Sequence, residues 1–107
     1  MKLGIVLSTK HAETNWNAFR LANLSINKGD TVSVFLTGEG VEYDKESSSQ
    51  FNIKGQVGTF LQSNNSKITA CETCMNIRNQ KESKECPEGG IEDLYKLIIE
   101  GDKVITF

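Results

Sequence analysis

The sequence predicts an α/β protein: a three-layer sandwich with a mainly parallel sheet of four to five strands and helices on both faces. Two observations carry this. Short apolar runs, "KLGIVLS", "TVSVFL", "KITAC" and "KVITF", alternate with stretches of helical periodicity. The first third of the chain also reads as strand, helix, strand, a βαβ unit whose strands run parallel through a right-handed crossover.

Lys2 to Ser8 is apolar apart from Gly4 until the serine, as expected of a strand buried on both faces. From Ala12 the period becomes helical. Trp16, Phe19, Leu21, Ala22, Leu24 and Ile26 cluster on one broad side, and Gly29 closes the helix with a left-handed cap. Thr31 to Leu36 is rich in β-branched and aromatic residues and makes the second strand. "TGEGVEYDKESSSQ" is a loop with room for one helical turn, and "FNIKGQVGTFLQSN" holds a short helix carrying Val57, Phe60 and Leu61, weakened by Gly55 and Gly58. Lys67 to Cys71 is the third strand, followed by a helix through "ETCMNIRN". Gln80 to Gly90 reads as a polar loop. "IEDLYKLIIEG" is the last helix, with Ile91, Leu94, Tyr95 and Ile98 in register and Gly101 ending it, and "KVITF" is the last strand.

The chain has 107 residues, expected to form one domain over residues 1–107. With 37% hydrophobic and 24% charged residues, and a single proline at Pro87, the composition is that of a globular protein. The net charge of -2 and the scattered Lys and Arg argue against direct nucleic-acid binding. No apolar run reaches the ~20 residues of a spanning helix or the roughly 7 to 15 of a secretory signal. The expectation is therefore a cytoplasmic protein away from the membrane, with its three cysteines reduced.

Ligands of open parallel sheets bind at the carboxyl ends of the strands. Three segments fall there: "STKHAET", "TGEGVE" and "ACETC". The last carries the strongest signal. Cys71 ends a strand and Cys74 stands in the first turn of the following helix, a setting that favours a thiolate, while Arg78, four residues on, adds positive charge to the same side. Glu72 acts in the opposite sense. Three readings stand side by side. The pair is a catalytic or sulfur-carrying thiol site; or Cys71 is a small apolar filler; or Cys71, Cys74 and Cys86, spaced Cys-x2-Cys-x11-Cys, bind a metal in a ligand- or metal-binding regulatory module. The metal set lacks a fourth ligand unless His11, the only histidine, reaches it. Thioredoxin-like exchange ranks low, because the pair comes late in the chain and Pro87 lies in a polar loop. His11 is either an acid or base near the thiol or a solvated loop residue. "GEG" is too short for a phosphate-binding fingerprint, so nucleotide binding is disfavoured, and Trp16 and Phe19 read as helix core.

The order and spacing of "KLGIVLS", "NAFRLANLSINKGDTVSVFLTGEGVE", "ITACETCMNIR" and "IEDLYKLIIEGDKVITF" resemble the DsrE/DsrF-like family, small α/β proteins that include sulfur-relay subunits, in particular its short members with two cysteines and a later Cys-Pro. The resemblance implies a sulfurtransferase-type relay protein in which Cys71 accepts sulfane sulfur as a persulfide, with Arg78 at the position of a basic residue further along the helix. It also implies donor and acceptor proteins as partners, no cofactor, and a homo-oligomer, a trimer or hexamer. Cys74 stands where relay members carry a small residue, so its expected role, resolving the persulfide or pairing with Cys71, is not inherited.

Overall fold

The structure is a computed structural model describing residues 1–107. Its elements run β1 (Lys2–Leu7), α1 (Ala12–Asn27), β2 (Thr31–Leu36), a 3-10 helix (Gly38–Glu42), α2 (Ile53–Leu61), β3 (Ser66–Cys71), α3 (Glu72–Ile77), β4 (Glu88–Gly89), α4 (Ile91–Glu100) and β5 (Lys103–Thr106). The five strands form one sheet in the order β4-β3-β2-β1-β5, every neighbouring pair parallel. With helices on both sides, it is a three-layer α/β sandwich.

Register explains the core. Leu3, Ile5 and Leu7 lie opposite Val32, Val34 and Leu36, and the last two lie opposite Ile68 and Ala70. All eight are buried. Because side chains alternate across a strand, they make one continuous apolar face. The chain steps from β1 to β4 in one direction and then returns past β1 to β5. Right-handed crossovers place α1, α2 and α3 on that face and α4 on the other. Phe19 of α1 meets Phe60 of α2 edge to face at 5.5 Å, and Gly4 leaves on the opposite face the space that Leu97 of α4 fills.

Three differences from the sequence expectations have physical causes. The buried side of α1 is Asn15, Ala18, Phe19, Ala22 and Ser25, whereas Leu24 is 53% exposed. Polar residues enter because their donors are satisfied: the Asn15 amide N–H groups donate to the carbonyls of Thr9 (2.8 Å) and Tyr43 (3.2 Å), although its Oδ1 has no partner, and the Ser25 hydroxyl donates to Asp30 (2.8 Å). The alanines let the helix lie close to the sheet.

Second, the segment expected to be only a polar loop contains β4. Two residues suffice because the Ala70 N–H donates to the Pro87 carbonyl at 2.7 Å, and Ala70 and Cys71 then align with Glu88 and Gly89. Third, α4 turns Leu94 and Leu97 toward the core but leaves Ile91, Tyr95, Ile98 and Ile99 51–69% exposed. Gly101, at its end, has an ordinary negative φ, while Gly29 has the expected left-handed φ of 95°.

Candidate functional site: a thiol pair at the sheet edge

The connection after β3 leaves toward the α1–α2 side, and that after β4 leaves toward α4. Neighbouring strands whose connections diverge open a crevice at their carboxyl ends. Cys71, the last residue of β3, sits at that point beside Gly89. Its backbone is extended (φ -62°, ψ 114°) and caps α3, so the chain turns at once and brings Cys74 back over the strand end.

The third participant comes from β2. Leu36 pairs with Ala70, so the residues after each strand are neighbours as well. The Thr37 N–H donates to the Leu7 carbonyl at 3.0 Å, and the 3-10 helix crosses the end of β1 so closely that a side chain at Gly40 would run into that same carbonyl. Gly38, at φ 56°, adopts a left-handed conformation that glycine takes without strain. Its N–H donates to the Cys74 sulfur at 3.2 Å.

These contacts separate the two thiols. Burial opposes ionisation of Cys74, but hydrogen bonds from the Cys71 thiol, the Gly38 N–H and Thr37, with the Arg78 charge, outweigh it and hold Cys74 below the ordinary thiol range. Burial pushes Cys71 up, and the neighbouring Cys74 charge adds to this against the opposing backbone N–H groups of Cys74 and Thr73. Ionisation is thus easier at Cys74 than at Cys71. Both thiols are free, with Cys71 buried and Cys74 half-buried.

Arg78 braces this arrangement. It donates to the Cys74 carbonyl at 3.1 Å, and its Nε lies 3.4 Å from Glu42, which also holds Lys45 at 2.7 Å. The side chain thereby ties α3 to the 3-10 helix that carries Gly38. His11 has a different task. It caps α1, its Nδ1 accepting from the Thr14 N–H at 3.3 Å and lying 3.0 Å from the Thr14 hydroxyl, and it makes no hydrogen bond to a cysteine.

Cys86 is buried at 4% exposure, and its thiol donates to the Val41 carbonyl at 3.6 Å. Burial, with Asp44 and Glu85 nearby, pushes it up to about 12. No three His, Cys, Asp or Glu side chains are gathered closely enough to hold a metal ion. The expected alternative set of Cys71, Cys74 and Cys86 is therefore corrected: Cys86 packs under the 3-10 helix and does not complete a site with the pair. A groove of about 250 Å³ lies elsewhere, between α4 and the sheet, bordered by Lys2, Thr31 and Lys67 at the amino ends of their strands.

Gly38, Thr37 and Glu42 were not among the site residues expected from the sequence. The available signal was positional, a glycine directly after the strand that neighbours the cysteine strand.

A parallel α/β sheet with a pair of free thiols at its carboxyl edge defines a small thiol-bearing protein of the α/β sandwich class. The chain belongs to the DsrE/DsrF-like family, whose model matches residues 1–107. The crystal structure of the ychN protein from E. coli is similar in fold, with a TM-score of 0.80 over 100% of both chains at 20% sequence identity. No curated protein matches the sequence. No helix is long and apolar enough to cross a membrane.

Proposed function

We propose that this protein is a sulfurtransferase-type sulfur carrier: it accepts sulfane sulfur from a donor protein, holds it as a persulfide on Cys71, and gives it to an acceptor thiol. Cys74 acts on the same sulfur as the second thiol. The reaction needs no organic cofactor, and its setting is the cytoplasm, where free thiols persist. The observation that supports this most is the pair itself, two free thiols at the crevice between β3 and β4, one of them stabilised as an anion by the Gly38 N–H. Membership of the DsrE/DsrF-like family supports sulfur-relay chemistry for such a pair.

The same reading takes the protein as a homo-oligomer, a trimer or hexamer. Its support is the exposed apolar face of α4, Ile91, Tyr95, Ile98 and Ile99, together with the exposed Val104 and Ile105 of the edge strand β5. Exposed apolar area of this kind marks association surfaces.

The carrier reading is tested by intact-protein mass spectrometry after anaerobic incubation with glutathione persulfide. Wild type gains sulfur, fragmentation locates it on Cys71 at equilibrium, and the Cys71→Ser/Cys74→Ser double variant gains none, although Cys86 is still present. An unchanged wild-type mass, or equal gain in the double variant, sinks the reading.

A further inference from the structure

The carrier reading leaves open which sulfur meets the donor first, and the geometry answers it. We infer that Cys74 is the gateway through which sulfur enters and leaves, and that Cys71 is the store behind it. This inference rests on the carrier reading and assigns the two thiols distinct steps.

Three observations converge on that order. Cys74 is half-buried whereas Cys71 is 9% exposed, so an incoming persulfide reaches Cys74 first. The Gly38 N–H points at the Cys74 sulfur from 3.2 Å, from a backbone at φ 56° that glycine adopts without strain. Cys71 stands behind Cys74 as the last residue of β3, buried beside Gly89 of β4.

The steps balance as follows. The Cys74 thiolate attacks the terminal sulfur of the donor persulfide, a new S–S bond forms, the donor's S–S bond breaks, and the donor leaves as a thiolate. Cys71 then gives its proton to solvent and attacks the outer sulfur of the Cys74 persulfide. The S–S bond to Cys74 breaks, and Cys74 departs as the thiolate that Gly38 stabilises. No net oxidation occurs, because the sulfane sulfur moves intact. A stabilised thiolate is both present for the first attack and a good leaving group in the second. Release is the same pair of steps in reverse, ending with attack of an acceptor thiolate on the Cys74 persulfide.

Attack of Cys71 on the inner sulfur would instead give a Cys71–Cys74 disulfide and free sulfide. The Gly38 contact favours the outer attack, since it stabilises Cys74 as the group that leaves.

The test follows wild type, Cys71→Ser and Cys74→Ser with glutathione persulfide over seconds to minutes, with alkylation to trap each state, mass spectrometry to locate sulfur and a sulfide assay. Cys71→Ser is expected to load and to keep the sulfur on Cys74. Cys74→Ser is expected to load at least about tenfold more slowly, because the outer thiol that meets the donor is gone. Wild type should show sulfur on Cys74 first and on Cys71 later. Fast loading of Cys74→Ser with none in Cys71→Ser would put entry at Cys71 and overturn the inference while the carrier reading stands. Disulfide with stoichiometric sulfide in wild type would overturn storage on Cys71. No loading of wild type would remove the carrier reading itself. Cys71→Ala replaces Cys71→Ser if the buried hydroxyl disturbs folding, as judged by circular dichroism.

Discussion

The two faces of the sheet are built from similar apolar residues but finished differently. On the α1–α2 side Phe19, Tyr43, Ile53 and Phe60 are at most 1% exposed, and their rings pack at 5.3–5.5 Å. On the α4 side no helical residue is fully buried, and four large apolar side chains face outward. One face closes on itself; the other keeps apolar side chains exposed. The difference teaches that the stability of the isolated chain resides mainly on the first face, and that the second can change without unfolding it.

The sharpest way to break this comparison is Phe60→Ala, which removes a ring from the closed face. It should cost about 3–5 kcal/mol in urea unfolding, the usual range for a buried phenylalanine. A loss under 1 kcal/mol would show that the closed face does not carry the fold.

A second prediction uses Cys86, beneath the same face. Its folded-state thiol is raised from 9.0 to about 12, so the folded protein keeps a proton that the unfolded chain gives up. The stabilising contribution is complete below about pH 9 and declines as pH rises toward about 12. Wild type should lose stability over that window more steeply than Cys86→Ala, and parallel pH profiles from equilibrium unfolding would contradict the burial argument.

The smallest effect on the chain belongs to the open face. Ile98→Lys should change unfolding free energy of the dilute protein by no more than ~0.5 kcal/mol, as exposed substitutions do. The same change should weaken self-association about tenfold in sedimentation equilibrium, a readout the closed face would not share. Unchanged association would move the interface elsewhere.

Much of the architecture was legible in the sequence because parallel strands buried on both faces announce themselves as apolar runs, and "KLGIVLS" and "TVSVFL" are nearly as long as the strands they form. β4 was not, since Glu88 and Gly89 carry no strand signal and pair only because the Pro87 carbonyl receives the Ala70 N–H. The burial of Asn15 and Ser25 was equally hidden. Their partners, the carbonyls of Thr9 and Tyr43 and the Asp30 carboxylate, are supplied by loops whose course no periodicity reveals.

At the site, Cys71, Cys74 and Arg78 were readable from spacing along one strand and helix. Gly38 was not, because its contact with Cys74 crosses from one strand end to the next. His11, a chemically versatile side chain in a promising loop, makes both contacts of its Nδ1 with Thr14 at the start of α1, a capping role that the sequence does not announce.

The brevity of β4 has a consequence for how copies of this molecule can meet. It covers only Ala70 and Cys71, so the outer backbone of β3 from Ser66 to Thr69 has no neighbouring strand. Open strand edges invite endless sheet extension, the route to fibres. Lys67 stands on this one, and a second copy adding in parallel register would lay lysine against lysine. At the far edge β5 carries exposed Val104 and Ile105. The sheet is thus guarded at the thiol end and sociable at the other, so crowding of the protein should lead to closed assemblies that leave the Cys71 and Cys74 edge open.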